Sequence, residues 1–182
     1  MEKHFELTEE FKVNISGVKL FRIKSTIKTK HVEEGVLGGW VEKLENLSGN
    51  AWVSGDAEVS GNAWVSGNAW VSGNAEVSGD ARVSGDAEVS GNAWVSGDAW
   101  VSGDARLKSD KDICWFSKFG SSNRTTTFFK SKENKIKVKC GCFFGNLIEF
   151  KQKVKETHKG NKFEKEYLLM VKLAELKLSE ND

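Results

Sequence analysis

A cluster of small polar side chains and one arginine lies in a short segment of the C-terminal half. Ser121, Arg124 and Thr125 belong to the sequence GSSNRTTT, which offers hydroxyl, amide and guanidinium donors. Such donors suit contacts with a phosphate or another oxyanion. The segment equally suits a hairpin loop whose hydroxyls satisfy its own backbone, and no P-loop or dinucleotide-binding motif accompanies it. A phosphate site and a plain hairpin loop both stay open.

Residues that could support catalysis or hold a metal are few. The histidines are His4, His31 and His158, and the cysteines are Cys114, Cys140 and Cys142. Cys140, Cys142 and His158 would supply three ligands, whereas a structural zinc site normally takes four. Cys114 sits in an apolar strand pattern, and no nucleophile elbow is present. We therefore predict no catalytic set, no metal and no cofactor, and we expect the cysteines to be unpaired core thiols in a reducing compartment.

The most regular feature of the chain is a six-residue repeat. Residues 47–106 consist of ten uninterrupted hexads of the form VSGNAW or VSGDAE, beginning with LSGNAW at Leu47. Fixed self-similarity of this kind predicts a solenoid, in which each unit is stable only when stacked on its neighbours.

The chemistry of the hexad predicts which positions face inward. Val at the first position and Ala at the fifth lie two residues apart across the hexad boundary, so they share one face of an extended segment, while the sixth position faces the other way. The Gly-Asn or Gly-Asp pair favours a turn after every short strand. We therefore expect Val and Ala inside a narrow tube, and Trp, Glu or Arg outside it.

These Val-x-x-x-Ala-x hexads resemble the bacterial transferase hexapeptide repeat. The resemblance implies a left-handed parallel β-helix with three hexads per triangular coil. Residues 35–46, GVLGGWVEKLEN, stay in phase, so we assign residues 35–107 to the β-helix and expect about four coils. The outward side chains fit a two-hexad register about as well, so the three-hexad register rests on the resemblance.

With three hexads per coil, residues 18 apart stack on one face. The first face then carries Trp52, Trp70, Glu88 and Arg106; the second carries Trp40, Glu58, Glu76 and Trp94; the third carries Trp64, Arg82 and Trp100. The third face predicts a cation–π stack of Arg82 between two tryptophans. Exposed aromatic side chains in this number are typical of an interface. We predict a binding surface, for self-association or for a partner, formed by Trp52, Trp64, Trp70, Arg82, Trp94 and Trp100.

The flanking segments predict caps on the tube. Residues 1–34 contain two alternating segments around an Ile-Ser-Gly turn, which indicates a β-hairpin. Residues 108–182 contain three strand-like runs (ICWFSKF, TTTFF and KIKVKCGCFF) and two helix starts, at Asn146 and Asn161, each with a glutamate three residues on. The segment LLMVKLAELKL could end the second helix or form a strand. The fold class is therefore mainly β: a left-handed parallel β-helix with an N-terminal β-hairpin cap and a small C-terminal α+β cap domain.

The C-terminal region carries a second resemblance. A GGW start, GNAWVSGDA hexads and a tail with FGS, RTTTFF and CGCF are similar to a hexapeptide-repeat group of bacteriophage and prophage genes, often labelled acyltransferases. Hexapeptide acyltransferases use a histidine in a cleft between coils of a trimer, but residues 47–106 contain no histidine. The resemblance thus implies a phage or prophage protein, and we interpret it as a non-enzymatic scaffold that inhibits a host defence protein or sequesters its nucleotide signal. Two alternatives stay open: an acyltransferase using CoA, with His31 or His158 as the base, and a structural virion or assembly component.

Charge is distributed unevenly along the chain. The formal net charge is +1, but residues 47–106 hold 8 acidic and 2 basic side chains, whereas residues 107–182 hold 17 basic and 10 acidic ones. The basic tail fits an anionic, nucleotide-like ligand, although alternating lysines also suit a solvated face. No apolar run approaches a membrane helix, and the N-terminus lacks a signal-peptide pattern. We expect a cytoplasmic protein of a bacterial host cell, without membrane contact, that forms a homo-oligomer, with a trimer favoured.

Overall fold

A computed structural model describes residues 4–179. Two β-strands precede the solenoid, and eleven short strands, most of them two residues long, build it. A four-stranded sheet and two helices follow. The flanking strands are β1 (Phe5–Val13), β2 (Lys19–Ser25), β14 (Ile113–Phe119), β15 (Arg124–Lys130), β16 (Ile136–Cys140) and β17 (Phe143–Asn146), and the helices are α1 (Leu147–His158) and α2 (Lys162–Leu178). The solenoid strands are β3 (Leu37–Val41), β4 (Trp52–Val53), β5 (Glu58–Val59), β6 (Trp64–Val65), β7 (Trp70–Val71), β8 (Glu76–Val77), β9 (Arg82–Val83), β10 (Glu88–Val89), β11 (Trp94–Val95), β12 (Trp100–Val101) and β13 (Arg106–Leu107).

The Val and Ala side chains of the hexads face the inside of the tube, as their chemistry predicts. Every Val and Ala of the repeat is buried, with at most 1% of its surface exposed, and together they form one continuous core. Each glycine of the repeat turns has a positive φ, and the turn glycines stack closely on one another. A Cβ added to Gly67, for example, would lie 3.0 Å from backbone atoms of Gly85. Glycine is therefore required both by the backbone angle and by the approach of the next coil.

Successive coils pair in parallel at a spacing of 18 residues. Trp52 pairs with Trp70, Glu58 with Glu76, and Trp64 with Arg82. The backbone ladder runs through both strands and turns, as in the bonds from Asp56 N to Gly73 O and from Asn68 N to Gly85 O. The three-hexad register is therefore confirmed, and the protein contains a β-solenoid of about four turns. The handedness stays a prediction.

The lower end of the tube is closed by the N-terminal segment. Strands β1 and β2 form the predicted hairpin, and β2 joins β3 so that the hairpin extends one face of the solenoid as a six-stranded sheet. The outermost carbonyls of the three faces then need donors. Ala51 O accepts from His4 Nε2 at 2.7 Å, Ala57 O accepts from Trp40 N at 3.0 Å, and Ala63 O accepts from Asn46 Nδ2 at 2.8 Å.

The upper end is closed by the chain that follows the repeat. There the outermost groups are N–H donors, and Trp94 N donates to Asp110 Oδ1 at 2.8 Å while Trp100 N donates to Thr127 Oγ1 at 3.0 Å. A bridge between Ala105 and Ser131 closes the third face. Phe129 and Ile113 are buried in the same core as the repeat valines. Strand β15 therefore serves as the lid of the tube.

The C-terminal sheet differs from its prediction in two places. The third strand-like run splits into β16 and β17, because Gly141 adopts a φ of +56° and turns the chain. As a result Cys142 lies in the turn and is exposed, so the prediction that the cysteines are core thiols is wrong for Cys142. Cys114 is buried, and burial raises the pKa of its thiol to about 11.

The two helices begin where their capping residues predict. Asn146 Oδ1 accepts from Glu149 N at 2.9 Å, and Glu149 in turn accepts from Asn146 N. Asn161 Oδ1 accepts from Phe163 N. Helix α2 continues to Leu178, which settles the open question of its end in favour of a helix. Phe150, Val154 and Tyr167 belong to a second core between the helices and the sheet.

Replacing Val71 with Asp should destabilise the solenoid by at least about 3 kcal/mol, because the new carboxylate would be buried without a partner. Val71 has 0% of its surface exposed. Urea unfolding followed by circular dichroism measures the effect. Asn74→Asp is the matched control, since it adds the same charge at an exposed turn position where other repeats already carry Asp. Equal stability of the two variants would contradict the inward position of the valines.

Replacing Asn46 with Ala should lower the free energy of unfolding by about 2 kcal/mol or more, because each buried carbonyl left without its donor costs about 1–3 kcal/mol. Asn46 is fully buried, and its amide donates to both Gly61 O and Ala63 O. The control is Asn62→Ala, which removes an exposed amide of the turn ladder. An Asn46→Ala variant as stable as the control would show that the lower end needs no side-chain cap.

Candidate functional site

The tryptophans of the repeat do not share one environment. Trp52 was predicted on the binding surface, but only 2% of it is exposed, so that prediction is wrong. The N-terminal segment covers it: the His4 ring lies 6.4 Å from the Trp52 ring. A Cβ at Gly38 would come within 2.7 Å of the same indole. Trp52 is therefore part of the core beneath the hairpin.

Trp64, Trp70 and Trp94 are the exposed members of the set, with 45%, 39% and 49% of their surfaces exposed. Each indole N–H donates to the hydroxyl of a repeat serine 16 residues earlier, namely Ser48, Ser54 and Ser78. The three lie on three different faces of the solenoid. They therefore do not join into one aromatic surface.

The stack predicted on the third face forms in part. The Arg82 guanidinium lies 5.6 Å from the centroid of the Trp100 ring, which confirms that contact. The second partner of Trp100 comes from the C-terminal sheet, because Lys139 Nζ lies 4.0 Å from the ring centroid. Trp64 pairs with Arg82 in the ladder, but its indole bonds to Ser48.

A groove of about 630 Å³ lies between this face and the turn that joins β14 to β15. We call it the groove. Its lining combines four predicted binding residues, Arg82, Trp100, Arg124 and Thr125, with other residues that are mostly polar or charged: Asp80, Asp98, Lys118, Asn123 and Gly141. The structure thus brings four of the nine predicted binding residues together.

The groove is positioned by the same contacts that close the tube. Thr127, two residues after Thr125, accepts from Trp100 N, and Thr127 pairs with Lys139 across the sheet. Thr125 Oγ1 lies 2.9 Å from Ser117 Oγ, which ties β15 to β14. Lys118 and Asn123 flank the turn with φ values of +64° and +50°, a strained conformation for residues other than glycine.

Arg82, Lys118 and Arg124 line the groove, and Lys139 lies beside it on the Trp100 ring. Within residues 4–179, none of the ion pairs involves Arg82, Lys118, Arg124 or Lys139. Asp80 accepts a hydrogen bond from Asn62 Nδ2 at 3.2 Å. The groove therefore offers several positive charges and two carboxylates to a ligand.

Ser121 lies apart from the groove. It borders a neighbouring cavity that shares Arg124 and Gly141 with the groove.

Sequence reasoning missed Lys118 and Lys139 as site residues. Lys139 alternates with Lys135 and Lys137 in the pattern of a solvated strand face, and only the docking of the sheet on the tube shows that it meets Trp100.

The three histidines differ in the contacts that their rings make. His4 Nε2 and His31 Nε2 each lie 2.7 Å from a backbone carbonyl oxygen, so these nitrogens must donate. The His31 ring also stacks on Trp70, and the His158 ring stacks on Tyr167.

Over residues 4–179, no group of three or more His, Cys, Asp or Glu side chains is arranged to hold a metal ion. In the same part of the chain, no helix is long and apolar enough to cross a membrane.

One family of known proteins matches the repeat. The family described as YdcK Beta solenoid repeat matches residues 57–73, which lie in the middle of the hexad array. No curated protein matches the chain. The matched segment and the parallel ladder at 18-residue spacing together make this chain a β-solenoid repeat protein.

Proposed function

We propose that this protein is a non-enzymatic binding scaffold that holds a nucleotide-like anionic ligand in the groove. The observation that carries the proposal is the convergence of Arg82 and Lys139 on Trp100, beside Arg124 and Lys118. All four cations lack an ion-pair partner within the described residues.

The chemistry of the groove suits a ligand that carries both phosphates and hydrogen-bond donors. Guanidinium groups bind phosphate oxygens with two parallel hydrogen bonds, and lysines add positive charge. Asp80 and Asp98 can accept from ribose hydroxyls or from an exocyclic amino group. A volume of about 630 Å³ falls within the range of small-molecule sites.

The solenoid supports such a site because its backbone is already ordered. Arg82 lies in β9, which is paired with β6 on one side and β12 on the other. The ring of Trp100 contacts Arg82 and Lys139, which limits the movement of these two cations before a ligand arrives. A preorganised site loses less conformational entropy on binding than a flexible loop does.

The biological setting is part of the proposal. The resemblance to phage and prophage hexapeptide-repeat proteins supports a protein that acts in the cytoplasm of a bacterial host and sequesters a nucleotide signal of host defence. Direct inhibition of a host protein has weaker support, because the exposed tryptophans lie on three separate faces. The same separation gives little support to a homotrimer built on an aromatic surface, and the groove is complete within one chain.

One observation favours a second candidate function, CoA-dependent acyl transfer by a hexapeptide transferase. CoA carries an adenosine phosphate that would suit the same groove. His158 borders the cavity that adjoins the groove through Arg124 and Gly141. A base could therefore come from the C-terminal cap. No contact in the groove gives comparable support to the third hypothesis, a structural virion or assembly component.

Isothermal titration with ATP, a cyclic di-adenylate, acetyl-CoA and inorganic phosphate tests the proposal. We expect saturable binding of at least one nucleotide, weakened about tenfold or more in Arg82→Gln and in Arg124→Gln, because each loses a charged hydrogen-bond donor. Arg106→Gln is the matched control. Arg106 occupies the same outward position of a hexad on another face, where it already pairs with Glu88.

Three results would contradict the proposal. They are no binding of any nucleotide at millimolar concentration, equal weakening by Arg106→Gln, and binding unaffected by Arg82→Gln. Release of free CoA from acetyl-CoA, abolished in His158→Ala, would favour the enzyme instead.

A further inference from the structure

The cavity beside the groove has a different chemical character. It has a volume of about 380 Å³ and lies between the β16–β17 turn, the loop at Ser121 and Ser122, and the inner faces of α1 and α2. We call it the cavity. Gly120, directly before this loop, lies against Tyr167, because a Cβ at this residue would overlap the Tyr167 hydroxyl. The loop therefore packs directly against α2.

The inner wall of the cavity is apolar and largely aromatic. Phe150 and Val154, one turn apart on α1, are buried, as is Tyr167 on α2. The Phe150 ring lies 5.2 Å from the Phe143 ring and 5.8 Å from the Tyr167 ring. These contacts fix the rings, so the cavity wall is a rigid apolar surface suited to a hydrocarbon or a single aromatic ring.

The rim of the cavity is basic. Arg124, Lys153 and His158 border it, and no Asp or Glu is among its lining residues. Within residues 4–179, Lys153 has no ion-pair partner, whereas Lys151 on the same helix pairs with Glu175. Among the described residues, Lys153 and Arg124 at the rim therefore have no ion-pair partner.

The Tyr167 hydroxyl at the cavity is already hydrogen-bonded to Ser121 and Cys140. Burial raises the pKa of Tyr167 and the neighbouring Cys140 raises it further, while hydrogen bonds from Ser121 oppose this shift. Cys140 Sγ accepts from Thr126 Oγ1 at 3.2 Å, which holds the thiol at the sheet.

We propose that the cavity binds a small monocarboxylate whose apolar body, a short aliphatic chain or one ring, lies on Phe150, Val154 and Tyr167 while its carboxylate meets Lys153 and Arg124. An apolar wall with an uncompensated basic rim is complementary to this class of ligand. The volume limits the ligand to a small body, since it is near the lower end for small-molecule sites. The cavity shares Arg124 and Gly141 with the groove, whereas Lys153, Phe150, Val154 and Tyr167 line the cavity and not the groove.

Titration of ¹⁵N-labelled protein with octanoate tests the proposal, with 1-octanol as the uncharged analogue and phenylacetate as the one-ring carboxylate. We expect saturable shifts of amides at Gly141, Thr157 and their neighbours. Octanol should bind about tenfold more weakly, because it lacks the carboxylate.

Variants separate the cavity from the groove. Lys153→Gln should weaken octanoate about threefold to fivefold, as expected for a partly solvated charge contact. Its matched control, Lys155→Gln, removes an exposed lysine of the same helix outside the cavity and should change nothing. Arg82 lines the groove and not the cavity, so Arg82→Gln should leave octanoate binding intact even if it abolishes nucleotide binding.

The proposal is overturned if neither carboxylate shifts the lining amides at several millimolar. It is equally overturned if octanol binds as tightly as octanoate, or if Lys153→Gln and Lys155→Gln have the same affinity.

Discussion

Backbone hydrogen bonding between coils is the constraint on which this structure depends. Each coil donates to the coil above it and accepts from the coil below, at a spacing of 18 residues. Nothing in the repeat itself ends such a ladder, so without caps both terminal coils would present unpaired backbone groups. The protein closes the acceptor end with side chains of His4 and Asn46 and a backbone N–H of Trp40. It closes the donor end with Asp110, Thr127 and the bridge at Ser131.

The candidate site follows from the way in which the donor end is closed. Strand β15 covers the top of the tube, and its antiparallel neighbour β16 brings Lys139 over Trp100. The turn between β14 and β15 brings Arg124, the first residue of β15, to the same side. Without the sheet, Trp100 and Arg82 would form a solvent-exposed pair on a regular solenoid face. The cap therefore converts a periodic surface into a groove with unpaired charges.

The hexad pattern was sufficient to predict the inside of the tube, because only one orientation of the hexad buries the Val and Ala side chains together. It was not sufficient to predict which outward tryptophans are exposed. Trp52 and Trp70 occupy the same position of the repeat and pair with each other in the ladder, yet Trp52 is buried and Trp70 is not. The difference arises because the N-terminal hairpin encloses Trp52, whereas only the His31 ring of the following loop stacks on Trp70. A repeat of identical units carries no information about which unit a distant segment will cover.

The sequence by itself determined the solenoid, its inward residues, its turns, the N-terminal hairpin and the start of both helices, because these depend on local backbone preference and on periodicity. The segment at Ser121, Arg124 and Thr125 was recognisable as polar and suited to an anion. Only the tertiary structure decided that Arg124 and Thr125 face Arg82 and Trp100, while Ser121 lines a separate apolar cavity. It alone placed Lys139 over Trp100 and Cys142 in a turn. These outcomes depend on how the C-terminal sheet docks on the tube, and docking is set by the complementarity of side chains distant in the chain.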